Sequence, residues 1–121
     1  MSKENLFKVG VYIQAFNDIL NINLPCGDIL QSAGLIVHVK KRHPDYVDYL
    51  ENVSEIIMYP DYIGVNPHEG NSIELVKCFD ENIQIGIKLD IKNNYLYVST
   101  LFDVKESKIK AREASGRLKR V

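Results

Sequence analysis

The sequence predicts an α+β domain in which helices pack to one side of an antiparallel meander, and three observations carry that prediction. From Ser72 onward apolar residues recur at every second position, with Ile83, Ile85, Ile87, Leu89 and Ile91 set against Gln84, Gly86, Lys88 and Asp90. That is the period of a strand with one solvated face. Upstream, Leu35 and Val39 stand four apart with Ile36 beside them and cations opposite, the stripe of an amphipathic helix. Finally, Asn93-Asn94 separates two alternating runs with residues that tolerate positive φ, as a tight hairpin requires.

In chain order, Lys8 to Phe16 alternates like a short strand, while Phe16 to Leu20 equally suits the start of a helix; both readings stay open. Pro25-Cys26-Gly27-Asp28 is a turn, and Ser32 is a candidate N-cap for a helix running to Arg42. Pro44 stops that helix and begins the next, whose apolar face holds Val47, Leu50 and Tyr46. Ser54 to Met58 suggests a third short helix closed by Pro60, followed by a Pro60 to Pro67 loop with a short extended piece in its middle. Three strands follow, Ser72 to Phe79, Ile83 to Ile91 and Tyr95 to Phe102. Asp103 or Ser107 can cap a last helix through Ala114, Gly116 suits its left-handed end, and Arg117 to Val121 can return to the sheet edge.

At 121 residues, 45% apolar and 26% charged, the chain suits one domain with one core, spanning 1–121. No apolar run approaches the roughly 20 residues of a membrane span. Met1 to Asn5 lead toward Gln14, Asn17 and Asp18 rather than into the apolar block of a signal peptide. The expectation is therefore a cytoplasmic protein with no membrane contact. Cys26 and Cys78 have no neighbouring cysteines or metal-ligand spacing, so free thiols are expected, Cys78 buried. No glycine-rich loop or carboxylate cluster calls for a nucleotide cofactor or a metal.

Charge is unevenly spread. Residues 105–121 hold seven Lys/Arg against two Glu, a net of +5, and the other 104 residues hold eight Lys/Arg against fourteen Asp/Glu, a net of −6. A polyanion could be bound locally without a basic surface overall.

The densest chemistry lies in His38-Val39-Lys40-Lys41-Arg42-His43-Pro44. His38 and Arg42, at i and i+4, share a helix face, and His43 precedes a proline that pushes it out of helical geometry. A basic last turn also complements the helix dipole, so these residues alone leave a structural reading open. Lys77 shares a strand face with Ile73, Leu75 and Phe79. Turns of three and two residues would oppose Lys77 to Ile85 and Ile87 to Thr100, placing Lys77 and Thr100 on one face about 9.6 Å apart laterally. Two histidines, a hydroxyl and several cations suit metal-independent RNA cleavage, with one group taking the ribose 2′ proton and another protonating the 5′ oxygen.

The His38 to Pro44 run, Pro60-Asp61-Tyr62-Ile63-Gly64, Ser72 to Lys77, Tyr95 to Thr100 and Ser115-Gly116-Arg117, in this order and spacing, resemble the phage-type nuclease domains of the barnase, EndoU, colicin-D and RelE-like group. The likeness covers about residues 29–120. It implies N-terminal helices packed on a twisted antiparallel sheet of three to four strands, with the active site across the sheet face. It also implies metal-independent cleavage of RNA through a 2′,3′-cyclic phosphate. Carried over by position, His38 and His43 are the acid-base pair with their division open, Arg42 and Lys77 bind phosphate, and Thr100 orients. Arg117, Ser115 and Lys41 are the expected substrate-binding residues. RNA is the expected partner, with a cognate inhibitor protein as a second; no DNA-specific motif is present. The alternative is an inactive RNA-binding or protein-interaction domain of the same fold.

Overall fold

The structure, a computed structural model, describes residues 6–121. Met1 to Asn5, part of the expected 1–121 domain and of the signal-peptide reading, lie outside the described residues. The elements in order are β1 (Leu6–Tyr12), α1 (Gln14–Leu20), β2 (Gly27–Ser32), α2 (Ala33–Arg42), a 3-10 segment (Pro44–Asn52), α3 (Val53–Met58), β3 (Tyr62–Val65), β4 (Ser72–Cys78), β5 (Asn82–Asp90), β6 (Tyr95–Asp103), α4 (Glu106–Ser115) and β7 (Leu118–Arg120). The fold is α+β. The expected sheet of three to four antiparallel strands is corrected to seven among the described residues, in the order β1-β2-β6-β5-β4-β3-β7. It is mixed, because β2 runs parallel to β6 through Ile29↔Leu96 and Leu30↔Tyr97.

The described chain also opens on a strand, not on helices. The ambiguous Lys8 to Leu20 stretch splits at Ile13: β1 pairs with β2, and α1 then buries Phe16 and Leu20. Asn17, also buried, holds this corner by taking hydrogen bonds from the Tyr12 hydroxyl and the Leu24 N–H and giving one to the Leu24 carbonyl. Burial pushes the Tyr12 phenol up to about 12.

One face of β4, β5 and β6 carries Ile73, Leu75, Ile83, Ile85, Ile87, Val98 and Leu101, each 3% exposed or less. Phe16 of α1, Leu35 and Val39 of α2, Val53, Ile56 and Ile57 of α3 and the side of the 3-10 segment pack on it. Ile36, expected in the same stripe, is 36% exposed. The helices are not confined to that side. Ile109 of α4 joins Tyr62, Val76, Val104 and Leu118 in a second cluster, so Val76, Glu74 and Gln84 on the face expected to be wet are buried.

Local signals mostly act where expected. Ser32 is the residue before α2, without a side-chain cap bond, and His43 ends it at φ −141°, ψ 57°. Gly116 ends α4 at φ 84°, where a side chain would strain the backbone. Lys105, not Asp103 or Ser107, precedes α4.

Candidate functional site

The site begins where a strand pairing stops. β2 touches β6 only as far as Tyr97, and α2, continuing from β2, takes its place beside the second half of β6. This puts the C-terminal turn of α2 against Ser99 to Phe102. Nε2 of His38 lies 3.3 Å from Oγ1 of Thr100, long for a hydrogen bond. The His43 ring stands 6.2 Å from that of His38 and 5.5 Å from that of Phe102. His38, Arg42, His43, Ser99, Thr100 and Phe102 together bound an open cavity of about 590 Å³.

Thr100 reaches this cavity by a route that turn lengths do not foretell. The β5–β6 loop has four residues, since Asp90 pairs with Tyr95, and Cys78↔Asn82 closes the β4–β5 turn. Each of these moves the expected register by two residues and leaves side chains on their expected face. Between Ile87↔Val98 and Gly86↔Thr100, however, Ser99 is an extra residue. This one-residue bulge carries Thr100 to the opposite face. A Cβ on Gly86 would lie 2.8 Å from Oγ of Ser99 and 3.3 Å from Cγ2 of Thr100, so both side chains lean over the glycine. The expected Lys77/Thr100 face is thereby corrected: Lys77 pairs with Ile83 on the core side, and its Nζ donates to the Tyr59 carbonyl at 2.9 Å.

Across the sheet from Thr100, the paired positions are Gly86, Glu74, Gly64 and Leu118. Glu74 is 3% exposed and takes two hydrogen bonds from Arg117, one from Nη2 and one from Nε at 3.2 Å. Gly64 makes that possible, because a Cβ there would lie 2.2 Å from the Arg117 carbonyl oxygen. Arg117 is therefore on the right sheet face but already neutralised by a buried carboxylate. Arg112 donates to the neutral Gln84 amide at 3.3 Å. Burial and then the Arg117 charge press its pKa down, against the opposing pull of the Glu74 carboxylate; it lies beside Gln84, the position paired with Phe102, and outside the cavity lining. Ser115 ties off α4 by donating to the Arg112 carbonyl and accepting the Arg117 N–H. Lys41 is exposed in the last turn of α2, outside the cavity lining.

Two other hollows have the wrong chemistry for a polyanion. One, about 570 Å³, includes Asp80, Glu81, Asp103 and Glu106 and repels phosphate. The other, about 510 Å³, lies between β1 and α3 and is walled by Val11, Ile13 and Met58. Cys78 lines the acidic hollow and is exposed, not buried as expected. Partial desolvation, then the Asp61 carboxylate, push its thiol up, which disfavours the thiolate.

Four expected residues, His38, Arg42, His43 and Thr100, meet in one cavity; Arg117 and Ser115 stand across the same face, and Lys77 and Lys41 stand apart. Ser99, Phe102, Glu74, Gln84 and Arg112 complete the surroundings and were not read from the sequence. A signal existed for two of them: Glu74 and Gln84 alternate with the apolar residues of β4 and β5, on the face read only as solvated.

A family model described as phage-Barnase-EndoU-ColicinE5/D-RelE like nuclease3 matches residues 7–111. The match begins well before residue 29 and stops short of Arg112, Ser115 and Arg117. No curated protein and no solved structure matches the chain. No helix of the described residues is long and apolar enough to cross a membrane. With 7–111 covered, the chain belongs to this phage barnase-, EndoU-, colicin- and RelE-like nuclease family.

Proposed function

We propose that the chain is an endoribonuclease that cleaves RNA through a 2′,3′-cyclic phosphate without using a metal ion. The observation that carries this reading is the convergence of His38, His43, Arg42 and Thr100 on one open cavity. Among the described residues no three His, Cys, Asp or Glu side chains gather as ligands would, and the proposed steps need none. One imidazole, neutral, takes the proton of the ribose 2′ hydroxyl while that oxygen bonds to phosphorus. The bond from phosphorus to the 5′ oxygen breaks as the other imidazole, protonated, gives its proton to the leaving oxygen. Thr100 orients the His38 ring through Nε2. Arg42, which lines the cavity, faces the charge that builds on the phosphorane, where a preorganised cation acts most strongly.

The test is labelled RNA incubated with the full chain in EDTA. Products ending in 2′,3′-cyclic phosphate are expected, and a substrate with deoxyribose at the cleavage position resists. His38→Ala and His43→Ala each reduce kcat by about 10²–10⁴-fold and remove opposite limbs of the pH–rate profile. Salt-sensitive binding with intact RNA recovered would instead mark an inactive RNA-binding module.

A further inference from the structure

The face that carries Thr100 continues away from the cavity, toward the β5–β6 loop. Thr100 is opposite Gly86, Tyr97 opposite Lys88 and Tyr95 opposite Asp90, so Tyr97 and Tyr95 project on the same side as Thr100. Helix α4 does not reach them; its buried contact, Ile109, lies with Tyr62, Val76 and Leu118 at the other end. Both tyrosines are partly exposed. We propose that this open face is a base-stacking track, on which Tyr97 and Tyr95 hold nucleotides of a single-stranded RNA that lie beyond the two joined by the scissile phosphate. The proposal rests on the ribonuclease reading and names the form of substrate that site takes.

The rings are 5.9 Å apart and inclined by 55°. Stacked bases in a duplex strand rise only about 3.4 Å, so successive bases lying on successive rings have to be unstacked and splayed, as in single-strand recognition. Tyr95 is preordered for this role, because its hydroxyl bonds to Asp90, which also binds Asn93 through its N–H and its Nδ2. A ring already fixed loses less entropy on binding. Beyond Tyr95 lies a hollow of about 300 Å³ bounded in part by Leu30, Asp28 and Cys26, an apolar wall beside a carboxylate that can accept from a base amino group. Two cations on this face are paired, Lys88 with Glu69 at 2.7 Å and Lys8 with Asp28 at 3.3 Å. The track therefore offers ring faces, while phosphate is held at the cavity end by Arg42.

The experiment uses the full chain and a single-stranded 2′-O-methyl RNA octamer, which cannot be cleaved, carrying 5-iodouracil at successive positions for photocross-linking. Cross-links on Tyr95 or Tyr97 are expected. Tyr97→Ala and Tyr95→Ala should each weaken octamer binding about tenfold, with Tyr97→Phe close to the parent. The salt slope should stay unchanged in the tyrosine variants and fall by about 1 in Arg42→Ala. Cleavage of a dinucleotide should be untouched by the tyrosine variants. Cross-links confined to other elements, or tyrosine variants that bind the octamer as the parent does, overturn the track; dinucleotide cleavage persisting then leaves the ribonuclease reading standing. A parent chain that neither binds the octamer nor cleaves a dinucleotide removes both.

Discussion

The two faces of β4, β5 and β6 come from the same three strands and have opposite characters. On one, Ile73, Leu75, Ile83, Ile85, Ile87 and Leu101 are fully buried under α1 to α3. On the other stand Glu74, Gln84, Ser99 and Thr100 around Gly86, with α4 covering only one end. The dry face is held by burial alone, which is undirected and tolerant of small shifts. The polar face depends on individual partners: Arg117 for Glu74, Arg112 for Gln84, His38 for Thr100. A substitution on the first face should therefore be read as stability, and one on the second as stability or as geometry depending on which partner is lost.

Arg117→Ala breaks this contrast most severely, because it strands a buried carboxylate; unfolding stability is expected to fall by about 3–5 kcal/mol in urea titration. Adding Glu74→Gln should restore part of the loss, and if it does not, the ion pair is not what the polar face rests on. Gly86→Ala probes geometry. The new Cβ pushes against Ser99 and Thr100 and moves the partner of His38, so kcat should drop roughly 10²-fold while the urea midpoint hardly changes. Equal loss in both readouts would deny the glycine its special place. Ile85→Val, on the dry face, should do the reverse, costing about 0.5–1.5 kcal/mol of stability with kcat intact under folding conditions.

The smallest effect is expected at Asp90, whose pKa is lowered chiefly by hydrogen bonds from Asn93. A carboxylate depressed on folding adds stability above its unfolded pKa and loses it as pH falls through the folded one. Asp90→Asn should thus lower Tm slightly at pH 7, and the gap to the parent should close toward pH 3. A gap independent of pH would mean the turn is held by shape, not by charge.

Much of the molecule is legible along the chain. The alternation in β4 to β6, the Pro44 break after Arg42 and the glycine after Ser115 each act within a few residues of where they are written. His38 and Arg42 share a helix face by spacing alone, and both line the cavity. Lys8 to Leu20 was not legible, because its apolar pattern fits either period; its pairing with β2 settles β1. The bulge at Ser99 was not read either, although the polar pair Ser99-Thr100 followed by the apolar pair Leu101-Phe102 breaks the alternation of this strand at that point.

By itself the sequence determined that this chain has strands with an apolar face, a helix ending in two histidines and three cations, and a basic C-terminal stretch. Those properties depend on side-chain period and local backbone preference. Only the tertiary structure decided that β2 stops beside Tyr97 so that α2 lies against β6, that Ser99 turns Thr100 toward His38, and that Arg117 is spent on Glu74 while Lys77 faces the other way. Each depends on which distant segment becomes a neighbour, and a shift of one residue in that pairing exchanges the faces of a strand.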